Sequence, residues 1–158
     1  LEHEAPEFEI ESKLTSNDDF YEWKGLRYFL YEYERFKCLK EINEEPELTW
    51  DHLKNKIKKE TIEHILPQTI QGVPYWTKRF DSQEHSKNVR RMGNLTLSIY
   101  NKNVSNKGFD DKKTYYKKSK WRTERELTKI DEWSIDAINQ REKEMIAFAI
   151  NRWSTHNI

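Results

Sequence analysis

A chain of 158 residues has room for one ordinary domain, or one small domain with appended helices. Charged and hydrophobic residues each make up 35%, and no run approaches the roughly 20 apolar residues of a membrane span. One cysteine, Cys38, excludes a disulfide framework and a cysteine-rich zinc site, while 6 Trp, 8 Tyr and 7 Phe supply a core and argue against disorder. Lys+Arg and Asp+Glu both number 28, yet the charge is segregated: −8 over residues 1–50, +1 over 51–86, +9 over 87–125 and −2 over 126–158. A +9 block attracts polyanions even on a neutral protein. The plainer reading is a solvated helical surface balanced by the acidic N-terminal third. With no signal peptide and no span, the expectation is a soluble, cytoplasmic piece with no membrane contact. Its start at Leu1-Glu2-His3, without a Met, reads as an added remnant or an internal cut from a longer protein.

Residues 1–16 are acidic and aperiodic, and read as a linker or remnant. From Asn17 to about Lys40, Phe20, Trp23, Leu26, Leu30, Tyr33 and Phe36 recur at three- and four-residue steps. That spacing predicts an aromatic-faced helix with Asn17 or Asp18 as N-cap. Glu44, Glu45 and Pro46 interrupt it, and Thr49 opens a short basic helix to about Lys59, with Trp50, Leu53 and Ile57 on one side. Thr61–Leu66 reads as a strand ending at Pro67, followed by a long loop of about 20 residues holding Gly72 and Pro74. Leu95–Tyr100 alternates apolar and polar residues and is the second strand. Helices follow at about Asn103–Lys107, at about Asp110–Lys120, and from near Ser134 with Ile135, Ile138, Met145, Ala149 and Trp153 as the buried stripe. The fold class is α+β, mainly α, with helices around one two-stranded element.

Chemistry concentrates at Glu63-His64, in TIEHILPQ. A carboxylate beside an imidazole sets a hard oxygen ligand next to a group that takes a proton near neutral pH. Adjacent strand residues face opposite ways, so the backbone must bend there if both serve one site. Asn94 and Asn103 bracket the second strand, and amide oxygens either ligate hard divalent cations or lock loops. Strand, loop, strand and helix with these residues form a ββα-metal arrangement suited to phosphodiester hydrolysis. His85 reads as a solvated loop residue, and His52 as part of the short basic helix. No HExxH, P-loop or GxSxG motif occurs.

The strings IEHILPQ, RRMGNLTL and NKNVSNKGFDDKK, in that order over about residues 61–118, resemble the C-terminal nuclease domain of GmrSD-type modification-dependent restriction enzymes. That domain belongs to the HNH, or His-Me finger, superfamily. The resemblance implies an HNH nuclease domain over residues 17–158, divided into a helical flank (17–60), a ββα-metal core (61–118) and a second helical flank (119–158). It implies His64 as general base, Glu63 as metal ligand and Asn103 as the second protein ligand. Asn94 would hold the loop that orients His64. Asn101 and Asn106 compete with Asn103, which spacing alone favours. Arg91, Lys107, Lys112 and Lys113 are the implied phosphate contacts. Mg²⁺ is the implied cofactor, with Mn²⁺ or another divalent cation as substitute, and DNA is the implied partner. An N-terminal NTP-dependent sensor domain or subunit, for which no motif occurs in this chain, would supply selectivity.

The expected activity is therefore metal-dependent DNA endonuclease action in restriction or phage defence. Two other readings stand beside it. One is a non-cleaving nucleic-acid-binding or interaction module on a degenerate HNH scaffold. The other is a ribonuclease using the same site.

Overall fold

The computed structural model describes residues 7–15, 19–55 and 61–154. Its first element corrects the expectation of a linker. Glu7–Thr15 is a helix, α1, whose Ile10 and Leu14 lie one turn apart and pack on the core. The expected caps Asn17 and Asp18 lie outside the described residues. From Phe20 the chain advances by turns, with Trp23 N donating to Phe20 O (3.0 Å) and Leu26 N to Trp23 O (3.1 Å). Only then does α2 (Leu26–Ile42) begin. Three-residue turns place apolar side chains at the same intervals as a helix, which is why the spacing of Phe20, Trp23 and Leu26 reads as helical. The helix ends at Asn43, whose φ of 54° is left-handed, a conformation that Asn tolerates. A short α3 (Trp50–Lys54) follows, and its expected continuation to Lys59 falls outside the described residues from 56 onward.

The sheet consists of β1 (Ile62–His64) and β2 (Leu95–Leu97), antiparallel, with Ile62 opposite Leu97, Glu63 opposite Thr96 and His64 opposite Leu95. Both strands are shorter than their sequence patterns: Ile65 N to Asn94 O (3.0 Å) and Ser98 N to Thr61 O (2.9 Å) are the last in-register bonds at the two ends, and the chain bends at Ile65 and Leu66. All six strand residues are buried, so this small sheet sits inside the molecule. The long connection holds two helices where a loop was expected. They are α4 (Pro74–Thr77), opened by proline, and α5 (Ser82–Asn88), opened by a capping box between Asp81 and Glu84. After β2 come α6 (Asn101–Val104), α7 (Phe109–Tyr116), α8 (Arg122–Glu126) and α9 (Ile135–Trp153), the last capped by Ser134.

Two apolar clusters flank the sheet. One joins α2, β2 and the C-terminal half of α9 through Phe29, Leu30, Leu95, Leu97, Met145 and Phe148. The other gathers Ile65, Leu66, Trp76, Phe109, Tyr116, Trp133 and Ile138 around the segment leaving β1. The class is mainly helical α+β, as the sequence indicated. No described helix is long and apolar enough to cross a membrane.

The short turn Met92–Asn94 leads into β2 and lies against α9. A Cβ on Gly93 would sit 2.3 Å from Ile138 O and 2.9 Å from Glu142 Cβ, so the contact demands glycine. Arg141 of α9 seals it by donating to Gly93 O (2.9 Å) and Leu95 O (2.7 Å). Gly93→Ala is expected to cost about 2 kcal/mol or more by overpacking, read as a melting temperature lowered by several degrees. An unchanged melting temperature would contradict this packing.

Candidate active site

The site is built where β1 stops. His64 is its last residue, and the following segment folds back on Asn94. Asn94 Oδ1 accepts from Leu66 N (2.7 Å) and Trp133 Nε1 (3.0 Å), while Nδ2 donates to Leu66 O (2.9 Å) and Val89 O (2.8 Å). The bend that the Glu63-His64 pair requires is thus made by a fully bonded buried amide. His85 supports the same turn: its Nε2 lies 2.8 Å from Pro67 O, so it is half-buried and bonded, contrary to the solvated placement expected of it.

Glu63 and His64 then border one cleft of about 430 Å³, lined also by Pro67, Gln68, Thr69, Asn101, Lys102, Ser105 and Asn106. Asn101 ties α6 to β1 through a hydrogen bond from Nδ2 to Ile62 O (2.9 Å). Ser105 ends α6 with φ 38°, a left-handed value that costs a non-glycine residue about 1–3 kcal/mol. Both Ser105 and Asn106 line the cleft. Asn103, the ligand favoured by spacing, lies exposed on α6 and does not line it. The helix brings Asn101 beside Glu63 and leaves Asn103 outside.

His64 is 8% exposed, with the Tyr21 ring centred 4.4 Å from its own and Gln68 Nε2 3.4 Å from its Nε2. Burial, with Lys112 and Arg90 nearby, depresses its pKa to about 4, so the imidazole is neutral at neutral pH. Glu63 is buried against Lys112 Nζ (2.5 Å) and Tyr116 Oη (3.3 Å). Burial pushes the Glu63 carboxyl up and the Lys112 ammonium down, and their mutual attraction opposes both shifts. Both partners bond Oε1; Oε2 has no hydrogen-bond partner among the described residues.

Among the described residues no cluster of three or more His, Cys, Asp and Glu side chains could hold a metal ion. The cleft offers one carboxylate and several neutral oxygens, from Asn101, Ser105, Asn106 and Gln68. That donor set fits a hard cation that keeps most of its water, such as Mg²⁺ or Mn²⁺.

The expected phosphate contacts divide. Lys107 is exposed, and its carbonyl accepts from Trp76 Nε1 (2.9 Å). The other three are engaged internally. Arg91 binds Asn88 and Asn139 (both 2.8 Å) and Glu142, pinning the turn before β2 to α9. Lys112 has no exposed surface. Lys113 donates to Ile130 O (3.1 Å) and Asp131 O (3.0 Å) and pairs with Asp110. Within the +9 block, Arg91, Lys112, Lys113 and Arg122 are thus tied to carbonyls and acids of the fold, while Lys87, Lys117, Lys118 and Lys120 are exposed. Lys102, unremarked in the sequence, lines the cleft. Tyr21 and Tyr116 were likewise missed, since tyrosines are too common in this chain for one to stand out, and Gln68 closes the string TIEHILPQ without a role being read for it.

A family model described as GmrSD restriction endonucleases, C-terminal domain, matches residues 6–148. No curated protein sequence matches the chain.

Behind the site, Glu124 of α8 is fully buried, neither carboxyl oxygen has a hydrogen-bond partner among the described residues, and burial pushes its pKa up to about 7 despite the nearby hydroxyls of Ser119 and Ser98. A carboxyl raised in the fold favours folding fully below its ordinary value near 4.5, and that contribution is lost as pH rises through about 7. His64 has the opposite sign, its contribution present above about 6.5 and lost as pH falls through about 4. Glu124→Gln should therefore gain about 2–3 kcal/mol over the wild type by pH 8, and much less at pH 4.5. Denaturant titrations across that range measure the difference, and a pH-independent gap would contradict it.

Proposed function

The chain belongs to the family of GmrSD restriction endonuclease C-terminal domains, a restriction nuclease domain acting on DNA, and from that premise we propose an HNH-type, divalent-cation-dependent endonuclease whose site is the cleft between β1 and α6. The observation that carries this reading is that Glu63 and His64, consecutive on a strand, border the same cleft as the amides of Asn101 and Asn106. In this reading β1, β2 and α6 are the ββα-metal core.

His64 is the general base. Its imidazole is neutral at working pH, and the Tyr21 ring packed beside it restricts the orientation in which it can take a proton from an attacking water. The Gln68 amide beside Nε2 adds a polar group at the same edge. Glu63, through Oε2, and the amide oxygens of Asn101 and Asn106 would hold Mg²⁺ or Mn²⁺. When bound, the cation supplies neutralisation of charge at the phosphate and the leaving oxygen. Asn94 acts through the backbone, fixing the turn that follows His64. Lys102 at the cleft and exposed Lys107 are the better-placed phosphate contacts. Contacts to phosphate carry no sequence information, so selectivity belongs to another part of the system, the NTP-dependent N-terminal sensor implied by the resemblance.

Nicking of supercoiled plasmid in Mg²⁺ or Mn²⁺ tests the reading. His64→Ala is expected to lose about 100-fold or more of the rate while retaining DNA binding. Asn101→Ala and Asn106→Ala should raise the Mg²⁺ concentration needed for half-maximal rate, whereas Asn103→Ala leaves it nearly unchanged. Wild type and His64→Ala cutting equally would place the activity elsewhere. Binding without cutting in any divalent cation would favour the non-cleaving module, and RNA cut in preference to DNA would favour the ribonuclease.

A further inference from the structure

The back wall of the cleft is held by one side chain that the reaction as described does not use. Lys112 on α7 has no exposed surface, and its ammonium donates to Glu63 Oε1 (2.5 Å) and to the carbonyl oxygen of His64 (2.8 Å). Tyr116, one turn along the same helix, donates to the same Oε1 (3.3 Å). The Lys112 ammonium also lies 5.9 Å from the centre of the Trp76 ring. One cation therefore grips the carboxylate of residue 63 and the backbone of residue 64 together, from the side away from the cleft. A buried ammonium in such surroundings persists only because it is paired.

We propose that Lys112 is a positioning residue that serves as the resident counter-cation of Glu63 and makes loading of a divalent cation depend on the arrival of a nucleic-acid phosphate. This rests on the reading of Glu63 as a cation ligand. An ammonium on Oε1 and a divalent cation on Oε2 share one negative charge and repel each other across a poorly solvated carboxylate. A phosphodiester anion entering the cleft supplies the missing negative charge. The free domain thus folds without metal and holds a divalent cation weakly, and the cation and the substrate load together. Removing the lysine inverts the situation. The carboxylate is left without a counter-charge, and a divalent cation becomes its replacement.

Thermal melting of the wild type, Lys112→Met and the charge-neutral Glu63→Gln/Lys112→Met, each with and without millimolar Mn²⁺, reads this without any activity measurement. The wild type should shift by less than about 1 °C with Mn²⁺, since its carboxylate is already paired. Lys112→Met should melt roughly 5–15 °C lower and regain half or more of that loss in Mn²⁺. The double variant should melt within a few degrees of the wild type and ignore Mn²⁺. Should Lys112→Met be unfolded without metal, Mn²⁺-induced refolding by circular dichroism supports the proposal and failure to refold overturns it. A Lys112→Met loss that Mn²⁺ does not repair, or a wild-type shift as large as the variant's, also overturns it. Mn²⁺ binding followed by paramagnetic resonance, corrected for the duplex alone, should tighten at least tenfold when a short duplex joins His64→Ala protein, and clearly less with Lys112→Met added; equal tightening overturns the coupling. Wild-type nicking that His64→Ala abolishes, together with a Lys112→Met melt indifferent to Mn²⁺, would remove the role of the lysine and leave the nuclease reading intact. No nicking by wild type in any divalent cation would remove both.

Discussion

The geometry of the cleft depends on one buried carboxamide. Asn94 spends both amide hydrogens and both oxygen lone pairs on Leu66, Val89 and Trp133, so a side chain four atoms long fastens three separate stretches of chain. Its backbone oxygen meanwhile accepts from Ile65 N in the last in-register bond of the sheet, one residue after the imidazole. Deleting that amide would leave several buried donors and acceptors unmatched, each costing about 1–3 kcal/mol. The turn carrying Asn94 is fixed in its own right by the glycine-tight contact with α9 and by Arg91 and Arg141. The short β1 therefore owes its orientation to the helices packed around it more than to its three-residue ladder.

That arrangement explains how adjacent strand residues reach one cleft. His64 is the final paired residue and the chain bends immediately, so the imidazole and the Glu63 carboxylate both border the same space. The two differ in their surroundings. His64 is desolvated next to cations and stays neutral, the form that the proposed general base requires. Glu63 is held by α7 through a lysine and a tyrosine, both on Oε1, and its second oxygen has no hydrogen-bond partner among the described residues. Two neighbouring groups are thus shifted in opposite directions by burial, the carboxyl up and the imidazole down.

The chemistry-bearing strand was legible because TIEHILPQ combines β-branched residues, a reactive pair and a proline stop in eight positions. The β2 pattern and the stripe of the last helix were legible for the same reason, since period and burial coincide there. What misled was equal spacing with a different cause. Phe20, Trp23 and Leu26 follow successive turns. At α6 the offset from Asn94 does not report that Asn101 lines the cleft while Asn103 is exposed. A four-residue helix at Asn101–Val104 is too short for periodicity to set its phase. The Asp81-Glu84 capping box was present in the sequence and marks α5 inside what read as loop. Charge runs were the weakest guide. Lys112 and Lys113 sit side by side in the sequence, yet one is wholly buried on Glu63 and the other closes onto the carbonyls of Ile130 and Asp131. Nothing in a basic run reports which way each side chain turns.

The proposed nuclease site requires Glu63, Asn101 and Asn106 to converge on one cation beside His64. Anomalous diffraction from crystals of the chain grown with Mn²⁺ and a short uncleavable duplex measures that directly. The expected result is one Mn²⁺ peak in the cleft, bonded to the Glu63 carboxylate, to an α6-side amide oxygen and to a DNA phosphate. A peak on Asn103 or elsewhere, with the Glu63 carboxylate untouched and the duplex lying away from His64, would contradict it.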